Sequence, residues 1–148
     1  MSLTFELDFP NEKDWQQIPE IGKKAIARAV EYVAMDIWGN IGREAPRNHG
    51  RLASSFQIKK LKDTEWWIYS PVQYARYVQE GTGIHGPEGR PYVIRPVNRR
   101  ALYWPGAYHP VKMVVHPGMR PNPYVTRATD RTRRRVSEFA QMAAGEVT

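Results

Sequence analysis

Metal chemistry is the first function the side chains suggest, through His49, His85, His109 and His116. A zinc site draws its specificity from spacing, such as two histidines one helical turn apart or the His-Glu-x-x-His pattern, which puts both imidazoles on one face. None of the four has such a neighbour, so the expectation is loop or strand-end histidines that hydrogen-bond locally. Ser54, Ser55 and Ser70 stand outside any Gly-x-Ser-x-Gly elbow or Ser-x-x-Lys pattern, and a serine without an organised base is a weak nucleophile. Glu80, beside Gly81, would need a second positioned carboxylate or histidine to act as an acid or base; its expected task is to cap or pair near a turn. Gly81, Gly83, Gly86 and Gly89 follow neither the P-loop nor the dinucleotide-binding spacing, and no strand leads directly into a helix N-terminus there. Cysteine is absent, which removes disulfides, thiolate nucleophiles and cysteine-based zinc sites together. No catalytic, cofactor-binding or metal-binding residue is expected.

Charge is the remaining chemical signal. The net charge is +7, and six arginines (Arg120, Arg127, Arg131, Arg133, Arg134 and Arg135) face one acid, Asp130, so that this window holds +5 and the rest +2. A basic surface serves nucleic acid, an acidic protein partner, or solubility. Arginine favours planar, bidentate contacts to carboxylate or phosphate. With Tyr103, Trp104, Tyr108 and Tyr124 nearby in sequence, a closing helix could pair phosphates and stack bases, although no helix-turn-helix or RNP-type strand accompanies it. A solvated helix face, or a contact to an acidic neighbouring subunit, explains the same residues.

The elements that would carry these residues are legible from periodicity. With 148 residues, 41% hydrophobic and 25% charged, the chain fits one domain, residues 1–148, with a hydrophobic core. No apolar run spans a bilayer and Met1 to Asp14 lacks a signal-peptide pattern, so an intracellular protein is expected. Leu3 to Phe9 alternates as an edge strand or a swapped arm within residues 1–14. Ile18 to Ile41 repeats apolar residues at three- and four-residue steps, a long amphipathic helix with Pro19 in its first turn and Pro46 closing its far end. Arg51 to Ser55 reads as a helical turn, followed by a hairpin whose strands hold Phe56, Ile58, Lys60 and then Trp66 to Ser70. The adjacent Trp66 and Trp67 must face opposite ways, which makes the outward one a sign of an interface. Residues 81–91 read as a flexible loop, and Arg90–Val97, Ala101–Trp104 and Val111–His116 as further strands. Tyr124 to Ala144 returns to helical spacing, with Tyr124, Val125, Ala128, Thr132, Val136, Phe139 and Ala140 inside. The fold class is α+β, an antiparallel β-sheet packed against a long N-terminal helix and a C-terminal helix.

Tyr74-Ala75-Arg76-Tyr77-Val78-Gln79-Glu80-Gly81-Thr82-Gly83 is a tyrosine-anchored turn of helix running into a glycine loop. Upstream stand Ala45-Pro46 and Gly50-Arg51-Leu52-Ala53-Ser54-Ser55-Phe56; downstream stand His116-Pro117-Gly118 and Pro121-Asn122-Pro123-Tyr124. In order and spacing this pattern resembles the tail-completion, or head-tail joining, family of long-tailed bacteriophages and prophages, also described as minor tail components. The chain departs from the family pattern in Asn48-His49-Gly50, in Gln79-Glu80 and in Tyr124-Val125. The resemblance implies a non-enzymatic virion protein with a small α+β fold and no cofactor. It would form a ring with copies of itself, between head-tail adaptor and tail-tube proteins, with DNA in the lumen as a further contact and no membrane. Its place would be the tail or neck of the virion, and the host cytoplasm during assembly.

Heterologous contacts close into rings when the rotation permits. On that reading the assembly-interface candidates are Arg76, Glu80, His85, Arg90, Arg131 and Arg134. The alternative from another class is a small basic nucleic-acid-binding protein using the arginine-rich C-terminal helix; a basic, toxin-like nuclease is a third.

Overall fold

The computed structural model describes residues 1–6, 12–47 and 50–148. His49 and the Leu7–Phe9 part of the expected first strand lie outside the described residues. The chain divides into two compact units, one formed by Met1–Ala75 with Tyr124–Thr148 and the other by Arg76–Pro123.

The first unit is built on one long helix. Strand β1 (Ser2–Glu6) and a short helix α1 (Glu12–Gln17) precede α2 (Glu20–Glu44). Pro19 stands at the N-cap of α2, where a residue without an N–H leaves no donor unsatisfied. Val30, Ala34, Ile37 and Ile41 are buried along one stripe of α2, four- and three-residue steps that stack side chains on one helix face. Ile21, in the first turn, is exposed, so the buried stripe begins later than the apolar spacing does.

After α3 (Arg51–Ser55), β2 (Gln57–Lys62) and β3 (Glu65–Tyr69) form the expected hairpin, with a register shift between Lys60 and Lys62. The sheet order is β1-β3-β2, all antiparallel. β1 is thus an edge strand of this same chain. Ile68 is fully buried on one face of β3, while Trp67 stacks on Tyr69 on the other at 4.5 Å between ring centroids. The outward tryptophan is therefore half-covered by its own strand, and Tyr69 also donates a hydrogen bond to Gln57 Oε1 at 2.8 Å.

Helices α5 (Tyr124–Arg133) and α6 (Val136–Val147) both pack on α2. The chain breaks helical phase at Arg135, whose φ of −108° and ψ of 0° are not helical. Tyr124, Val125, Ala128, Thr132 and Phe139 are buried as the spacing predicts, but Val136 and Ala140 are exposed and Ala143 takes the next place on the inner face. A two-residue break rotates all that follows. Each large apolar side chain moved from water to this core contributes roughly 1.5–3 kcal/mol.

The second unit differs from the expected strand run. Only Tyr92–Ile94 (β4) and Val114–His116 (β5) are strands, paired antiparallel in a separate two-stranded sheet, and the strand expected at Ala101–Trp104 is a single bridge from Leu102 to Val111. Proline explains the interruption, since eight of the chain's 12 prolines lie in this unit and each removes a ladder donor and fixes φ. Within residues 81–91 the chain makes a 3-10 turn at Gly83–His85.

Candidate assembly surfaces

In the second unit, α4 (Ala75–Glu80) delivers the chain into a clasp between Gly81–His85 and Pro117–Asn122. Thr82 N–H donates to Met119 O at 2.9 Å and Ile84 N–H to Pro117 O at 2.8 Å. Met119 N–H returns a bond to Thr82 Oγ1 at 3.0 Å, and Asn122 N–H donates to Val78 O at 2.8 Å. Two glycines permit this approach. Gly83 has φ +63° and Gly118 φ +105°, and a Cβ on Gly83 would overlap the Pro117 backbone, one on Gly118 the Thr82 backbone. His116 joins the clasp as an acceptor, its Nδ1 taking a bond from Gly118 N–H at 3.0 Å. Gly81, Gly83 and Gly86 thus serve close backbone-to-backbone approach.

What the clasp holds has little interior. Among the described residues of the second unit, Gly81 alone is buried. Tyr77, Ile84, Tyr92, Val93, Val97, Tyr103, Trp104, Tyr108, Met113, Val115 and Met119 are exposed, Val97 at 93% and Tyr103 at 67%. Exposed apolar side chains mark an interaction site where they form a contiguous patch, whereas scattered ones are ordinary.

In the first unit, Arg127, Arg131, Arg133 and Arg135 are committed to acids, while Arg134 is exposed and has no acid within ion-pair distance among the described residues. Arg127 Nε lies 2.9 Å from Glu44 Oε2 and Arg131 Nη2 2.6 Å from Glu44 Oε1, so one carboxylate at the end of α2 holds two cations of α5. The hydrogen bond from Arg127, together with the charges of Arg131 and Arg127, holds the Glu44 carboxyl below the usual carboxylate range. Arg135 Nη1 meets Asp36 Oδ1 at 2.6 Å and its Nε meets Glu138 at 3.1 Å; the pairing with Arg135 lowers Glu138. Asp36 also accepts from Asn40 Nδ2 at 2.9 Å and from Thr132 Oγ1 at 2.8 Å, and Asn40 Nδ2 reaches Thr132 Oγ1 at 3.0 Å. This fastens α2 to α5 through buried polar groups that satisfy one another. Arg133 pairs with Asp130 at 3.3 Å.

The sequence-predicted residues fall on both units. Arg76 and Glu80 pair with each other at 2.9 Å on exposed turns of α4. His85 ends the 3-10 turn and is exposed, and Arg90 is exposed and reaches Glu88 at 3.4 Å. Arg131 and Arg134 line the same shallow hollow with Glu44, Arg127 and Asp130. Among the described residues, no group of three or more acids and histidines stands together as a metal cage, and no helix is long and apolar enough to cross a membrane.

Residues 12–81 match the family model described as "Bacteriophage HK97-gp10, putative tail-component". Those residues are HK97-gp10-like. No curated protein and no solved structure matches the chain. The HK97-gp10-like region holds α2, α3, the β2–β3 hairpin and α4, and it ends where the clasp begins. The clasp, the β4–β5 hairpin and helices α5 and α6 follow it.

Cation density points to Arg120–Arg135, yet a second signal in the sequence marks other residues. From Gly89 to Thr129 there is no aspartate or glutamate, and Arg90, Arg95, Arg99, Arg100, Lys112, Arg120 and Arg127 all lie there. Arg95, Arg99, Arg100, Lys112 and Arg120 have no ion pair among the described residues. The absence of acid, more than the number of cations, finds the free positive charge.

Proposed function

We propose that this protein is a structural, non-catalytic component of a phage neck or tail, joining the head connector to the tail tube or completing the tail. The observation that carries the reading is the second unit, which is pinned by backbone hydrogen bonds but exposes its large apolar side chains. The HK97-gp10-like match over residues 12–81 supplies the class of assembly. A protomer of a closed ring needs a rigid body to set its shape and surfaces completed by neighbours. The α2–α5–α6 body answers the first need. The clasp with Tyr77, Tyr92, Val93, Val115 and Met119 answers the second, because burying these side chains against a neighbour would release their hydration at roughly 25 cal/mol per Å².

In this reading Arg76, Glu80, His85 and Arg90 border the apolar surface and set register between subunits, while Arg131 and Arg134 present the hollow of the α5 face. Partners are further copies of the chain and the adaptor and tail-tube proteins; its place is the virion. Co-expression with the adaptor and tail-tube proteins of the same phage tests this. Co-purification as a ring or a stoichiometric complex is expected; a chain that stays apart from them, and is missing from purified virions, would overturn it.

A further inference from the structure

The acid-free segment reaches its greatest charge at the far end of the β4–β5 hairpin. The Leu102–Val111 bridge closes a turn in which Ala107 N–H donates to Trp104 O at 3.0 Å. Arg99 and Arg100 lie just before that bridge and Lys112 just after it, with Arg95 directly following β4. Within the turn, Tyr103, Trp104 and Tyr108 are all exposed. The topology therefore brings four cations and three exposed rings to one end of one hairpin, with no acid from Arg95 to Lys112.

We propose that this hairpin end binds the phosphate backbone of nucleic acid, with Arg95, Arg99, Arg100 and Lys112 neutralising phosphates and Tyr103, Trp104 and Tyr108 offering faces for unpaired bases. Protein interfaces set register by alternating complementary signs, whereas a run of one sign suits a polymer of the opposite, uniform charge. Exposed aromatics among cations add stacking that does not depend on sequence. The C-terminal helix is the poorer candidate, since Arg127, Arg131, Arg133 and Arg135 already face acids of their own unit. The binding segment lies beyond the HK97-gp10-like residues, and the inference does not depend on the tail reading: nucleic-acid binding and co-assembly are read separately and either can fail alone.

The test is fluorescence anisotropy of the full chain on random-sequence duplex and on a single strand, titrated with salt. Any basic protein binds DNA weakly, so the decisive comparison is between variants of equal net charge. Arg99→Ala with Arg100→Ala should reduce the duplex log-log salt slope by about 1.8, at about 0.9 per phosphate contact. Arg127→Ala with Arg131→Ala should leave it unchanged, and Arg99→Lys with Arg100→Lys should largely restore it. Tyr103→Ala with Trp104→Ala should weaken single-strand binding by about tenfold or more. Equal losses from both arginine pairs would reduce the effect to net charge and overturn the proposal. So would loss of binding to an acidic tail protein in the Arg99/Arg100 variant while its DNA binding is unaltered.

Discussion

Arginine does two different jobs in this chain. Around α5 it fastens: Arg127 and Arg131 close on Glu44, and Arg135 on Asp36 and Glu138, so these three cations are each matched by an acid of the same unit. Along the β4–β5 hairpin it stands free, with no acid between Gly89 and Thr129. The first region has a buried core beneath it, including Tyr124, Val125 and Ala128; the second has a clasp of backbone hydrogen bonds and exposed rings. A positive charge reports on partners only after its neighbours have been subtracted.

The largest expected break in this contrast is at the clasp. Gly83→Ala, or Gly118→Ala, forces a Cβ into the facing backbone at a positive φ, and should cost about 3 kcal/mol or more of local stability. Hydrogen exchange should then show the Thr82, Ile84 and Met119 amides losing protection while α2 keeps its own. Equal loss in both would mean that the two units unfold as one.

The next effect lies in the core. Tyr124 is fully buried and donates from its hydroxyl to Ala75 O at 3.0 Å. Tyr124→Phe removes that hydrogen bond and should cost about 0.5–1.5 kcal/mol in denaturant unfolding. Burial also pushes the Tyr124 hydroxyl up to about 12. Because the folded value exceeds the usual tyrosine value of about 10, the stability this gives is complete below that value and is lost as pH rises toward the folded one. Alkaline unfolding should therefore set in across this window, and Tyr124→Phe should flatten it.

Acid probes the fastened arginines. Glu44, Glu138 and Glu146 are held low, the first two chiefly by Arg127 and Arg135 and the third by the Tyr32 hydroxyl and then Arg28. Their stabilising contribution is complete above the ordinary glutamate value of about 4.3 and is lost as pH falls through their lowered folded values. The melting temperature should fall through that acid range, and less so in high salt, because the arginine ends of these pairs are solvent-exposed and screened. The smallest effect is on Glu44→Gln, which should change stability little yet remove the anion that Arg127 and Arg131 share. If fastening is what silences the α5 cations, this variant gains salt-sensitive DNA binding; if it gains none, the contrast between the two regions has another cause.

Much of the body was legible in the sequence. The period of α2, the alternation of the β2–β3 hairpin and the inner face Tyr124–Thr132 each follow from local spacing, which is why the α+β class is readable. The phase break at Arg135 was not, because nothing in Arg133-Arg134-Arg135 excludes a helix; the non-helical Arg135 is tied instead to Asp36, 99 positions away in sequence. The same distance problem hides the Glu44 pairs. Prolines at 91, 96, 105 and 110 do announce short strands, yet periodicity alone extends them. Arg76, Glu80, His85 and Arg90 are identifiable as polar side chains by their place in and after α4, whereas the exposure of the large apolar side chains of the same unit emerges only when burial is known.

Hydroxyl-radical footprinting of Tyr92, Met113 and Met119, in the isolated chain and in intact virions, tests most directly whether neighbours complete the second unit. These side chains should oxidise readily in the free protein and be strongly protected in the virion, while Met35, exposed on α2, serves as the reference within the first unit. Equal oxidation of Tyr92, Met113 and Met119 in both samples, or a virion without this chain, would contradict the account.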